Sequence, residues 1–245
     1  MRTIFLADAH LDSPTARDYL LLVEFLEQLR GETEALFIMG DLFDFWLGFP
    51  SNPFRQYDRI VAALAALKES GCRLVYFEGN HDFHLGPVFT EQLGAEVHRG
   101  PAVMTLQGRR YYLCHGDQIN AADYGYRLLR LLLHNRLTGA LVGIVPPSVA
   151  FVIRERLQRV SRSGYESKSC RWDYRELVRT FAGSIRNQGY AGLVTGHFHL
   201  PLCEELNGSS FRVLSLGAWM GPHHYGELVD GVPVLKTFTP GTDSP

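Results

Sequence analysis

Five times along this chain a short run of β-branched and aromatic residues leads into a cluster of side chains able to bind metal, and this repetition constrains the fold more than any other feature. The runs cover residues 3–7, 35–39, 73–77, 111–114 and 192–195, and a sixth lies at 212–216. Their length and composition predict β-strands. Between the first two, Leu22, Phe25, Leu26 and Leu29 recur at helical spacing before Gly31; between the second and third, Ile60, Leu64 and Leu67 do the same before Gly71. That spacing predicts helices over residues 18–30 and 55–70, each stopped by a glycine. Strands alternating with helices in this way predict an α/β layered domain. In that class the loops at the carboxyl ends of the strands gather along one edge of the sheet, so clusters far apart in sequence meet there.

The clusters are Asp8-Ala9-His10, Gly40-Asp41-Leu42-Phe43-Asp44, Gly79-Asn80-His81-Asp82, His115-Gly116-Asp117 and Gly196-His197-Phe198-His199. Asp8 and His10, like His197 and His199, are two residues apart. In an extended segment that spacing projects both side chains to one side, within reach of a common ion. Glycines beside Asp41 and Asn80 allow the backbone to turn sharply and approach an ion closely. Asp8, His10, Asp41, Asn80, His115, His197 and His199 are therefore the candidate metal ligands. Seven ligands exceed the needs of one ion but suit two ions about 3.5 to 4 Å apart sharing a carboxylate. A set of oxygen and imidazole donors without thiolate favours Mn, Fe or Zn over a structural all-sulfur zinc site, so two divalent ions of this kind, Mn²⁺ among them, are the expected cofactors.

An apolar fraction of 46% in 245 residues suits a single globular domain, and a net charge of −2 gives no general attraction to nucleic acid. Cys72, Cys114, Cys170 and Cys203 are too scattered for a zinc site or a disulfide framework and read as reduced thiols. With no signal-peptide pattern at the start and no apolar run of roughly 18 residues, a cytoplasmic location is expected. Residues 121–175 differ from the rest: ten basic residues stand against four acidic ones, interleaved with apolar runs at 128–133, 140–145 and 149–153. The simple reading is a pair of core-facing helices with solvated arginine faces. The sharper one is an amphipathic cap that seats against anionic lipid and receives an acyl chain.

The ordered set Asp-x-His, Gly-Asp-x-x-Asp, Gly-Asn-His-Asp, a later His and Gly-His-x-His resembles the pattern of the calcineurin-like metallophosphoesterases without a gap. Phe83, Gly125-Tyr126, Ser167-Lys168-Ser169 and Gly217-Ala218-Trp219 extend the resemblance, over nearly the whole chain, to the bacterial UDP-2,3-diacylglucosamine hydrolases of lipid A synthesis. The resemblance implies a sandwich of two β-sheets flanked by helices, one domain over 1–245 with a helical cap inserted at about 121–175. It implies one ion on Asp8, His10, Asp41 and His199 and a second on Asp41, Asn80, His115 and His197, with Asp41 bridging. It implies catalytic roles for Asp41, Asn80 and His81 and substrate contacts from Asn80, His81, Asp123, Ser161, Lys168 and His197. The best-known branch of the hydrolases has arginine where this chain has His81, and asparagine where it has Tyr165.

The activity implied is cleavage of UDP-2,3-diacylglucosamine to UMP and 2,3-diacylglucosamine 1-phosphate, by in-line attack of an activated water on phosphorus. Asn80 would orient a phosphoryl oxygen, and His81 would stabilise the transition state or protonate a leaving alkoxide. The expected partners are a lipid-linked nucleotide and the cytoplasmic face of the inner membrane, with no nucleic acid. Two alternatives share the motifs: a phosphoesterase for soluble phosphodiesters or nucleotide pyrophosphates, and an inert metal-binding scaffold.

Overall fold

The computed structural model describes residues 2–50, 52–142, 144, 146, 152, 155 and 171–241. The chain runs β1 (Arg2–Leu6), α1 (Arg17–Gln28), β2 (Thr33–Ile38), β3 (Trp46–Leu47), α2 (Asp58–Glu69), β4 (Arg73–Phe77), β5 (Asp82–Phe83), β6 (Glu96–His98), β7 (Ala102–Leu106) and β8 (Arg109–Cys114). It continues through α3 (Tyr124–Leu133), α4 (Arg136–Val142), α5 (Tyr174–Ile185), β9 (Gly192–Thr195), β10 (Pro201–Glu205), β11 (Arg212–Leu216), β12 (His224–Val229) and β13 (Val232–Thr237). All six predicted strands and both predicted helices are present. The helix predicted over 55–70 opens with a short 3-10 turn at Arg55–Tyr57 before α2.

The strands form a six-stranded sheet, ordered β13-β12-β1-β2-β4-β6, a five-stranded sheet, ordered β10-β11-β9-β8-β7, and a small β3-β5 pair. β1, β2, β4 and β6 are parallel, as are β8, β9 and β11; the outer hairpin strands run antiparallel. The central runs are apolar throughout because both their faces are covered. Ile4 and Leu6 of β1 pack with Leu36, Ile38 and Leu74 against the apolar stripes of α1 and α2, including Leu22, Leu26, Ile60 and Leu64. Phe5, Phe37, Val75 and Phe77 point the other way and meet Leu113, Val194, Leu214 and Leu216 of the second sheet. The outer face of that sheet carries Leu193 and Val213 against Val178, Ala182 and Ile185 of α5. The result is a helix, sheet, sheet, helix sandwich, the α/β architecture expected.

The hairpin β12-β13 was not among the predicted strands, although Asp230-Gly231 carries its signal: both residues have positive φ, 50° and 71°, as a two-residue turn of matching twist requires. The Gln107-Gly108 turn between β7 and β8 has the same geometry, with φ of 47° and 78°. Within 121–175, α3 and α4 are described; Arg154, Arg156, Arg159, Ser161, Arg162, Tyr165 and Lys168 lie outside the described residues, as does most of the apolar run 149–153. Asp123 caps α3, its Oδ1 accepting from the Tyr126 backbone N–H at 3.1 Å. No described helix is long and apolar enough to cross a membrane.

Candidate metal centre

Parallel strands of both sheets end at one edge, and their following loops are bonded to each other there. The Asp8 N–H donates to the Gly40 carbonyl, that of Gly196 to His115, and those of Trp219 and Met220 to Ala7 and Asp8. Two-residue spacing predicts extended backbone for Asp8 with His10 and for His197 with His199, and the structure corrects this. Asp8, His10, Asp41, His197 and His199 all have left-handed backbone, with φ of 52°, 43°, 53°, 70° and 50°. Each such residue costs roughly 1–2 kcal/mol relative to right-handed backbone, and such strain concentrates at functional sites. The side chains converge because the loops curl over the strand ends, which alternation along a strand could not achieve.

Of the three groups of side chains that result among the described residues, two hold only predicted ligands: Asp8, His10 and His199, and Asp41, His115 and His197, the candidate ligand atoms within each lying within 4.8 Å of one another. Asp41 links them, its Oδ2 standing 3.8 Å from His10 Nε2 and 3.5 Å from His115 Nε2. Its other oxygen accepts from the His81 N–H at 2.9 Å, which leaves Oδ2 to face both groups. Asn80 Oδ1 lies 3.2 Å from His115 Nε2 and so belongs to the second group. All seven sequence-predicted ligands thus meet at one edge.

Three observations fit this edge to a pair of cations. Asp8 Oδ2 accepts from the His197 N–H at 2.8 Å, while its Oδ1 is buried with no hydrogen-bond partner, 3.7 Å from His199 Nε2. His115 Nδ1 donates to the Met39 carbonyl at 2.7 Å, so its Nε2 faces two further acceptors, Asp41 Oδ2 and Asn80 Oδ1. A neutral ring would put a third lone pair among them, an arrangement that needs a positive charge at its centre. Without metal a proton supplies that charge: burial disfavours it, but the Asp41 carboxylate pushes His115 up to about 10. Finally, His10 and His199 bring their Nε2 atoms to 3.1 Å, and burial pushes His10 down to about 3, so both rings offer lone pairs. Burial likewise holds His197 near 3 and raises Asp8 well above the usual carboxylate range.

Several side chains around the centre had no role in the sequence reading. Asp44 groups with His10 and His81, whose Nδ1 donates to the Asp44 carbonyl at 2.8 Å. Asp82 is fully buried beneath the site and accepts from the N–H groups of Asp41, Leu42 and Gly79 and from the Tyr76 hydroxyl, at 2.9, 2.6, 3.0 and 2.6 Å. It is an anchor for two ligand loops, and burial together with Asp41 pushes it up to about 6. Both aspartates stand inside the quoted motifs, Asp44 three residues after Asp41 and Asp82 directly after His81. Position in the motif was their only signal, since sequence cannot separate a carboxylate that faces an ion from one that braces a loop.

Gly79 explains part of the motif. A Cβ there would stand 2.1 Å from Asp41 Oδ1 and 2.6 Å from Asp41 N. Overpacking of this kind costs about 1–3 kcal/mol, and here it falls on the side chain shared by both groups. Gly79→Ala is therefore expected to retain the fold with a lowered melting temperature and to lose at least about tenfold in Mn²⁺ affinity, measured by thermal unfolding in chelator and by metal titration. Unchanged metal affinity would show that Asp41 has room to shift without consequence.

The family of calcineurin-like phosphoesterases matches residues 1–201. The chain belongs to that family and is a metal-dependent phosphoesterase. Within it, the chain is similar to UDP-2,3-diacylglucosamine hydrolases: it is 31% identical over 237 residues to that of Salmonella arizonae, covering 95% of this chain and 96% of the relative. It is 30% identical to that of Salmonella paratyphi B, with the same coverage. Among solved structures, an archaeal phosphodiesterase shares the fold at a TM-score of 0.50 and 12% identity, covering 97% of this chain and 100% of that one.

Proposed function

We propose that this enzyme hydrolyses the pyrophosphate bond of UDP-2,3-diacylglucosamine, releasing UMP and 2,3-diacylglucosamine 1-phosphate, a step of lipid A synthesis. End-to-end similarity to hydrolases of that name supports the reading. The observation that carries the acylated substrate is the outer face of α3. Leu128, Leu131 and Leu132 recur at helical spacing and are 59%, 69% and 57% exposed, with Arg127 and Arg136 nearby in sequence. A soluble substrate gives no reason for such a stripe beside the catalytic edge, whereas an acyl chain and an anionic bilayer surface both do. In this reading the enzyme works from the cytoplasmic side against the inner membrane.

Asp8, His10, Asp41 and His199 would hold one divalent ion, and Asp41, Asn80, His115 and His197 the other, with Mn²⁺ the favoured metal. When bound, the ions supply activation of water and neutralisation of phosphoryl charge. Asn80 then orients a phosphoryl oxygen. His81, held by its backbone bond to Asp41 and its ring bond to the Asp44 carbonyl, stands beside the centre to stabilise charge on the phosphoryl group or to protonate a leaving oxygen. Asp123, Ser161 and Lys168 complete the proposed substrate contacts.

The test is hydrolysis of UDP-2,3-diacylglucosamine in detergent with Mn²⁺, beside UDP-N-acetylglucosamine and bis-p-nitrophenyl phosphate. Turnover of the acylated nucleotide far above the other two is expected; turnover only of the soluble esters would keep the phosphoesterase and discard the lipid. Leu128→Asp with Leu132→Asp is expected to lower kcat/KM for the acylated substrate by at least about tenfold, given about 1.5–3 kcal/mol for each leucine fully desolvated. The same variant should hydrolyse bis-p-nitrophenyl phosphate within about twofold of the parent. Unchanged turnover of the acylated substrate would refute the acyl role of this face.

A further inference from the structure

Helix α3 is amphipathic in an unusual sense: its leucine stripe faces outward, and its inward side carries Tyr126, Arg130 and Leu133, spaced four and three residues apart. The inward contacts fall on three segments. Toward the loop after β8, the Tyr126 hydroxyl donates to Asp117 Oδ2 at 2.7 Å and Arg130 Nε donates to the same oxygen, while toward the turn between β6 and β7 Arg130 Nη2 donates to the Arg99 carbonyl at 3.1 Å. Asp117 is buried and lies two residues from His115. Toward β5 and the residue that follows it, His84 Nε2 donates to the Leu133 carbonyl at 2.8 Å, and Phe83 lies against the His134 ring at a centroid distance of 4.6 Å. Gly139 of α4 gives His84 its room, since a Cβ there would come within 2.9 Å of His84 Nδ1. The loop after β8 carries His115, and β5 continues directly from the loop that carries Asn80.

We propose that α3 is a strut between the loop after β8 and β5, the strand that follows the Asn80 loop, and so sets the spacing of Asn80 and His115, with Arg130 its positioning residue. Arg130 touches no candidate ligand; it acts through Asp117. With the guanidinium in place, the buried Asp117 carboxylate is neutralised and held on the helix side. Without it, a buried carboxylate that keeps only the neutral Tyr126 hydroxyl and no counter-charge is left two residues from His115, and the loop must move to solvate it or turn it toward the centre. Partners of this outer kind shift metal affinity by about 10- to 100-fold. By linkage, anything that loosens α3 weakens one ion, and binding of that ion tightens α3 by the same factor. The inference rests on the reading that Asp41, Asn80, His115 and His197 hold an ion.

The experiment is calorimetric titration of Mn²⁺ into the metal-stripped full chain, with thermal unfolding recorded in chelator. The parent is expected to take up two ions. Arg130→Gln should weaken one of them by about 10- to 100-fold and leave the other within about twofold, and Arg130→Gln/Asp117→Asn should lose no more than Arg130→Gln alone. His115→Ala, the control, should lose the same ion. Two ions bound with parent affinity by Arg130→Gln, while His115→Ala loses one, would overturn the strut. Equal weakening of both ions would also overturn it, as general damage. Two ions retained by His115→Ala would instead overturn the ligand assignment beneath it. If Arg130→Gln does not fold, Tyr126→Phe decides: a few-fold weakening of the ion that His115→Ala loses supports the strut, and unchanged binding overturns it.

Discussion

Replacing Asp41 by asparagine is expected to lower turnover by about a thousandfold, the upper end of what one preorganised electrostatic partner contributes. The substitution keeps size and shape, so the effect isolates charge. Asp41 is the side chain that faces both ligand groups, with Oδ2 at 3.8 Å from His10 Nε2 and 3.5 Å from His115 Nε2. Its Oδ1 is committed to the His81 N–H. An asparagine that preserves that bond must aim its NH2 at the centre, where a cation belongs. One that turns its oxygen to the centre abandons His81 and sets two donors against each other. Neither rotamer serves. The charge is native to the folded state: burial works against it, but His115 and His81 hold Asp41 well below the usual carboxylate range. The measurement is kcat on bis-p-nitrophenyl phosphate with Mn²⁺, with bound metal counted in the same sample. A variant within about tenfold of the parent, with both ions retained, would show that Asp41 does not bridge.

Chelation is expected to abolish turnover and to lower the melting temperature by roughly 10 °C relative to protein saturated with Mn²⁺. An ion present at a thousand times its dissociation constant adds about 4 kcal/mol to stability, and a chain of this size gains about 2–4 °C per kcal/mol. The sign follows from the edge. Asp8, Asp41 and Asp82 are buried together there, and Asp8 Oδ1 has no hydrogen-bond partner. A cation bound to the native state compensates charge that the unfolded chain would leave in water. Restoration of both turnover and melting temperature by Mn²⁺ is expected. Lost turnover without any thermal shift would mean that the ions bind a surface other than this buried edge.

Much of this centre was legible without coordinates. All seven candidate ligands follow strands that the apolar runs predicted, and their order along the chain carried the family resemblance. The helices α1 and α2 were readable because their apolar stripes recur at near-neighbour spacing, and Gly31 and Gly71 mark their ends. The hairpin β12-β13 was missed despite its Asp230-Gly231 turn, since its strands are mixed in composition and pair at the sheet edge. The arginines of 121–175 were read as one face, solvated or lipid-directed. Arg130 departs from that reading, because its partner Asp117 lies on a loop that the local pattern gives no means of pairing with it.

Residue types, their order and the alternation of strands with helices were set by the amino-acid sequence, because periodicity and turn chemistry depend on neighbours a few positions apart. Which atom of each side chain faces the centre was decided only by the tertiary structure. The His197 N–H reaches Asp8 across 189 positions, and the His81 N–H reaches Asp41 across 40. Those contacts exist because two sheets pack face to face and force five loop residues into left-handed backbone, a conformation whose cost only the surrounding packing can offset.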